Sequence, residues 1–334
     1  MARVGVIGGG AFGTAMACIA RRRGHDVRLW AREDDVVASI NRDGANPFFL
    51  PGIALAPGIR ATADLATAVD GAEFVLLAPP AQHVRAVTTS LRPVLKAGTP
   101  VVSCSKGIER GTCALMTEVI AQTLPDAPVA VLSGPSFAHD IALDRPAGVT
   151  LACADPALAE RIAGRIGSPR FRIYLSDDLT GVLLGGALKN VIAIACGVAM
   201  GRRLGESARA TLFARALAEM TRLGVAMGAR PETFMGLSGA GDLSLSCNSA
   251  SSRNTSLGIA LGEGQALADI LRSRVTVQEG VHSAESAARL ARRHDVDMPI
   301  VAAVDRVLNH GCGVDEAIAG LLAHPYHLDR AAPG

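Results

Sequence analysis

Directly after a short apolar run, Arg3–Ile7, the chain reads Gly8-Gly9-Gly10-Ala11-Phe12-Gly13, and a helical pattern begins at once over Phe12–Arg23. A Gly-x-Gly-x-x-Gly turn between a strand and a helix constrains the fold strongly. The first glycine allows the tight turn, the second lets backbone approach a pyrophosphate, and the third lets helix and strand pack closely. The helix N-terminus behind the turn offers its amides to an anion. Gly8, Gly10 and Gly13 are therefore candidate dinucleotide contacts. The next strand ends in Trp30-Ala31-Arg32-Glu33. Arg32 suits a ribose 2′-phosphate and favours NADP(H), while Glu33 suits a free 2′-hydroxyl and keeps NAD(H) open.

The same alternation continues through the first half. Apolar runs at Asp26–Trp30, Glu73–Ala78, Pro100–Ser103, Val129–Leu132, Gly148–Cys153 and Arg170–Tyr174 are separated by helical patterns such as Pro156–Ile166. Such alternation predicts an α/β N-terminal domain with a parallel, doubly wound Rossmann-type sheet. Asn41–Ile59 has no period and holds several prolines and glycines, so it reads as a long loop. After Tyr174 strands become hard to find, and helical patterns such as Ser207–Met227 and Ser283–Arg293 take over. The expected division is 1–176 for the nucleotide-binding domain and 177–327 for an all-α second domain.

One residue in that second half stands apart. Between Asp178 and Arg202 the only charged side chain is Lys189, in a long apolar, glycine-containing stretch. Burial pulls a lysine toward neutrality, as a proton donor or acceptor near pH 7 requires. Taken alone, a lysine snorkelling to the surface from a core helix is the commoner explanation, and it is the surrounding motifs that favour proton transfer. Gly185 and Gly186 lie one turn before Lys189 and leave room there for a ligand or for backbone. The stretch is long enough to test as a membrane span, but Lys189 and Asn190 near its middle favour a buried helix of a soluble domain.

Composition narrows the partners. At 334 residues with 33 basic and 31 acidic side chains, the net charge is +2, and aromatics make up 3%. There is no basic block, which argues against nucleic acid and for a small-molecule substrate. The 7 cysteines are scattered, without a Cys-x-x-Cys pair, so neither a disulfide framework nor a metal site is indicated and a cytoplasmic setting is expected. The N-terminus shows no signal-peptide pattern.

Several polar segments follow strands or open helices. Ser105-Lys106-Gly107-Ile108-Glu109 comes after the Pro100–Ser103 run, and Gly134-Pro135-Ser136-Phe137-Ala138 after Val129–Leu132. Ser136 reads equally as a helix-start residue or an anion contact. Gly239-Ala240-Gly241-Asp242 ends a flexible turn in a carboxylate. Ser251-Ser252-Arg253-Asn254 opens a helical segment, either as a plain N-cap or as a phosphate clamp.

In order and spacing, the segments at 8–14, 105–109, 134–138, 187–191, 241–243 and 252–254 resemble bacterial NAD(P)-dependent glycerol-3-phosphate dehydrogenase across nearly the whole chain. Asn46-Pro47-Phe48-Phe49-Leu50-Pro51-Gly52-Ile53, which resembles the family's Leu-Pro-Gly loop, and Val277-Gln278-Glu279-Gly280 are also similar to that family. The resemblance implies a 6-phosphogluconate-dehydrogenase-like pairing of a Rossmann-type domain with a helical substrate domain. It implies that Lys189 donates and accepts the proton, that Lys106 and Asp242 help hold substrate, and that Asn190 supports the polar site. It further implies contacts to a phosphorylated triose from Gly134, Ser136, Ser252, Arg253 and Asn254. Dinucleotide contacts would come from Ala11, Phe12, Arg32, Lys106, Ala138, Arg253, Val277 and Glu279. Ala11 and Phe12 replace a common serine and a common tryptophan or tyrosine, so a hydroxyl contact to the pyrophosphate is lost while backbone contacts remain.

The expected reaction is reversible hydride transfer between NAD(P)H and C2 of dihydroxyacetone phosphate, giving sn-glycerol 3-phosphate for phospholipid synthesis. A protonated Lys189 would stabilise and protonate the developing alkoxide. The apolar helix and Lys106 lower its pKa and Asp242 raises it, and the sequence leaves the balance open. A dehydrogenase of another small hydroxy acid and a non-catalytic NAD(P)-binding sensor are the competing readings. A homodimer is an open expectation.

Overall fold

The computed structural model describes residues 1–273 and 279–324. The chain forms two compact units, and the division is not a single cut. Met1–Ser105 and Met116–Leu179 make the first unit, whereas Lys106–Leu115 belongs with the chain from Thr180 onward. The sequence offered a single division and no sign of the excursion at Lys106–Leu115.

The first unit is built on an eight-stranded sheet. Its strands are β1 (Arg3–Ile7), β2 (Asp26–Trp30), β5 (Arg60–Thr62), β6 (Phe74–Leu77), β7 (Val101–Ser103), β8 (Val129–Ser133), β9 (Ala147–Cys153) and β10 (Phe171–Ser176). A separate hairpin pairs β3 (Ala45–Asn46) with β4 (Leu50–Ala54). The order across the sheet is β10-β9-β8-β7-β6-β1-β2-β5, so the chain winds to one edge, returns beside β1 and winds to the other. In register, Ile7 stands level with Trp30 on one side and Leu77 on the other. The carboxyl ends of the three strands nearest the switch point are therefore flush, and Gly8 leaves the sheet there. That is the crevice position where open α/β sheets take ligands. Alternating side chains such as Val4, Val6, Leu29 and Leu76 are fully buried under the Ala11–Arg22 helix and its neighbours.

Two expectations need correction. The sheet is mixed, because β9 runs antiparallel to β8. The link between them contains only the five-residue helix Ala138–Ala142. Such a helix rises about 7 Å, too little to carry the chain back along the sheet for a parallel return. The second correction concerns Asn41–Ile59, which contains the end of the Asp34–Asp43 helix and the β3–β4 hairpin. Gly44, at φ 60°, ends that helix in a left-handed turn and starts the hairpin. The edge strand β5 also escaped the sequence reading, being only three residues long.

Among its described residues the second unit is helical. Its centre is the 23-residue helix Leu179–Gly201, in which Gly181 through Ile194 are all buried. This helix is long and apolar enough to cross a membrane, yet 89% of its most apolar window is covered by protein. Arg253–Gly262 packs on it at Gly197, Glu279–Arg293 at Asn190, and Asp242–Cys247 at Lys189, while Glu206–Ala226 and Pro299–Asn309 belong to the same unit. All seven cysteines of the chain are free.

Candidate active site

In the first unit the glycine turn has the shape its sequence requires. Gly8 sits at φ 121°, and a methyl group there would stand 2.8 Å from the backbone of Ala78. Gly8 N donates to Trp30 O at 3.0 Å, which ties the turn to β2. Gly10 precedes the Ala11–Arg22 helix, no side chain caps that helix, and nothing lies within 4 Å of the position a Cβ would take on Gly10. An open backbone at the N-terminus of a three-turn helix fits a dinucleotide pyrophosphate. Ala11 and Phe12 are half-buried at the same turn. Arg32 is exposed and its guanidinium binds Glu33 at 2.8 and 3.1 Å, so the two residues that argued for different cofactors are paired with each other. Gly134 and Ser136 belong to this unit, where Ser136 Oγ donates to Gly134 O at 2.8 Å just ahead of Ala138.

The second unit gathers the other candidates. Lys189 lies mid-helix and is 8% exposed. Its Nζ stands 2.5 Å from Asp242 Oδ1, and Lys106 Nζ stands 2.6 Å from Asp242 Oδ2. One fully buried carboxylate thus holds two ammonium groups. The three residues come from three separate segments, and each is delivered by a recognisable device.

Asp242 follows a π-helical turn, Leu237–Gly241, and begins the Asp242–Cys247 helix. Such turns commonly mark functional sites. The turn lies directly on the central helix: a methyl group on Gly185 would stand 2.3 Å from Ser238 O. The space that Gly185 leaves one turn before Lys189 is therefore filled by backbone, and that close approach brings Asp242 to the lysine.

Lys106 is delivered by the Lys106–Leu115 segment, a small closed loop with Ile108 bridged to Leu115. It is tied to the Glu279–Arg293 helix at three points. Arg110 binds Glu285 at 3.2 Å, Ser286 Oγ donates to Glu109 O at 3.2 Å, and Arg293 donates to Thr112 O at 3.0 Å. At its start, Asn190 Nδ2 donates to Lys106 O at 3.2 Å. Asn190 Oδ1 accepts from Asn254 Nδ2 at 3.0 Å, and Asn254 Oδ1 accepts from Gly280 N at 3.1 Å. The two asparagines form a relay that ties the Lys106 backbone to three helices. Ser252 caps the Arg253–Gly262 helix by accepting from Thr255 N at 3.3 Å. Arg253 is exposed at the start of that helix and is attracted by Glu279. Val277 and Gln278 lie outside the described residues.

The electrostatics follow from burial. Desolvation pulls Lys189 down to about 8, with Asp242 opposing and Lys106 adding to the fall. The balance that the sequence left open thus falls on the side of burial, leaving a lysine that changes charge near neutrality. With both lysines protonated, the trio carries one net positive charge in a dry setting, where it acts strongly on a developing oxyanion.

Residues 3–159 match the family described as NAD-dependent glycerol-3-phosphate dehydrogenase N-terminus, and residues 178–319 match its C-terminus. The chain is 53% identical to glycerol-3-phosphate dehydrogenase [NAD(P)+] of Parvibaculum lavamentivorans, over 98% of each chain. It is 54% identical to the protein of the same name from Caulobacter vibrioides, over 97% of each. Its fold superposes on the crystal structure of glycerol-3-phosphate dehydrogenase from Coxiella burnetii with a TM-score of 0.93 and 35% identity, covering 97% of this chain and 99% of that one. With matched domains in the family's order and full-length relatives, the chain belongs to the NAD-dependent glycerol-3-phosphate dehydrogenase family.

Proposed function

We propose that the chain interconverts dihydroxyacetone phosphate and sn-glycerol 3-phosphate with NAD(P)H, the product serving as a phospholipid backbone. The observation that carries this reading is the buried Lys189, held by Asp242 and pulled to about 8. Bound NAD(P)H supplies the hydride. In reduction, protonated Lys189 donates a hydrogen bond to the ketone oxygen and then its proton to the alkoxide. In oxidation, neutral Lys189 accepts the hydroxyl proton. Asp242 orients both ammonium groups, and Lys106 contributes positive charge for the substrate oxygen. Asn190 and Asn254 keep Lys106 in place through their relay, a positioning role in addition to the contacts that the family resemblance implies. Arg253, exposed at the start of a helix, supplies a fork of donors for the substrate phosphate. NADP(H) is the favoured cofactor because Arg32 offers a guanidinium to a 2′-phosphate, and NAD(H) is accepted because Arg32 must leave Glu33 to make that contact.

The proposal extends to a homodimer working in the cytoplasm. Seven free cysteines are in keeping with a reducing compartment, and Leu204 and Met235 add exposed apolar surface in the second unit. Light scattering of the purified protein tests the assembly. For the reaction, loss of NADPH absorbance on adding dihydroxyacetone phosphate, with little loss on adding dihydroxyacetone, supports the reading. Equal rates with both ketones, or none with either, contradict it.

A further inference from the structure

Asn46 is the last residue of β3, directly before the turn of the β3–β4 hairpin, well away in sequence from the glycine turn, and is completely buried. Its Nδ2 donates to Gly9 O at 2.8 Å and to Thr14 Oγ1 at 2.9 Å. Thr14 Oγ1 in turn donates to Gly9 O at 3.2 Å. The amide cannot be flipped without loss, because Asn46 Oδ1 accepts from Phe49 N at 3.3 Å. Two buried donors therefore converge on one carbonyl of the glycine turn.

That carbonyl belongs to the peptide unit whose other end is the N–H of Gly10. The unit is planar and trans, so the direction of Gly9 O fixes the direction of Gly10 N–H. Among the described residues no backbone or side-chain acceptor takes that N–H, and the Gly10 position opens onto free space. A glycine turn is conformationally permissive, and an unheld peptide plane there can rotate at little cost.

We propose that Asn46, through Gly9 O, is a positioning residue that aims the Gly10 N–H at the dinucleotide pyrophosphate. It does so from beneath the turn and touches no ligand itself. This inference rests on the cofactor reading above. Thr14 is the second support, holding Gly9 O from the helix side. The β3–β4 hairpin acquires a purpose: it brings a buried amide under the nucleotide turn.

The test is NADPH binding followed by fluorescence, with steady-state kinetics on the same preparations. Wild type should bind NADPH, and failure to bind overturns the cofactor reading itself. Asn46→Ala should raise the Kd and the KM for NADPH roughly tenfold, the effect of one or two lost hydrogen bonds. The KM for dihydroxyacetone phosphate should stay within about twofold, a split that general loosening of the fold does not produce. Thr14→Val keeps the shape of the helix and removes one support, and it should raise the Kd about threefold even where Asn46→Ala fails to fold. An unchanged NADPH Kd in a folded Asn46→Ala protein overturns the inference. So does an unchanged Kd in Thr14→Val, or an equal rise in both KM values.

Discussion

The ammonium of Lys189 stands 2.5 Å from Oδ1 of Asp242, and the carboxylate has no exposure to solvent. Burial drives the lysine toward its neutral form and the carboxylate pulls it back. A lysine near 8 suits the proposed proton transfer in both directions.

Rates should therefore follow opposite pH profiles. Reduction at saturating substrate needs protonated Lys189 and should fall as pH rises through about 8, while oxidation should rise through the same range. Asp242→Asn removes the contribution that raises the pKa and should move both inflections to lower pH. Steady-state rates between pH 6 and 10 check this, the range spanning about two units on each side. Coincident profiles in the two directions would contradict the assignment.

Gly185→Ala should cost activity without touching a ligand. Its methyl group would stand 2.3 Å from Ser238 O, so the π-helical turn must move and Asp242 with it. A destabilisation of about 1–3 kcal/mol accompanies such overpacking. The kcat should fall at least about tenfold, the effect of a misplaced catalytic group. Gly164→Ala is the contrast, since nothing beyond its own helical turn lies within 4 Å of its new methyl group. It should gain up to about 1 kcal/mol of helix stability and keep full activity.

Glu219 is a second buried titratable group, remote in role from the site. It accepts from Ile300 N at 2.9 Å and Val301 N at 3.2 Å, capping the Pro299–Asn309 helix from a neighbouring helix. Desolvation outweighs these bonds and pushes it up to about 7. A carboxyl with a raised folded pKa contributes stability that is fully present below its unfolded pKa and is lost as pH rises through the folded value. Wild type should thus lose stability relative to Glu219→Gln between about pH 4.5 and 7. Thermal midpoints of both proteins across that range test it, and a constant difference would count against it.

What the sequence revealed depends on how local the cause is. The glycine turn was legible because its requirements, a strand end, a tight turn and a helix start, are met within a dozen residues. Lys189 was legible because a charge in a long apolar helix is anomalous wherever the helix packs. Lys106 and Asp242 could be named through the family resemblance, but not their common geometry, which depends on a π-helical turn seated on Gly185 and on a loop tied to Arg293. Asn46 was visible only as the first residue of a family-like segment, and nothing local showed its role: the segment is aperiodic, and its partners are 32 and 37 residues away. The antiparallel β9 was hidden for a related reason, since strand direction depends on how far a short connection travels rather than on the strand's own residues.

The proposed proton transfer rests on Lys189. The most direct measurement is kcat for dihydroxyacetone phosphate reduction by Lys189→Ala, alongside its Kd for NADPH. Removing a general acid should lower kcat on the order of 10³-fold, with the NADPH Kd held within about twofold. A kcat close to wild type in a folded, NADPH-binding variant would contradict the account.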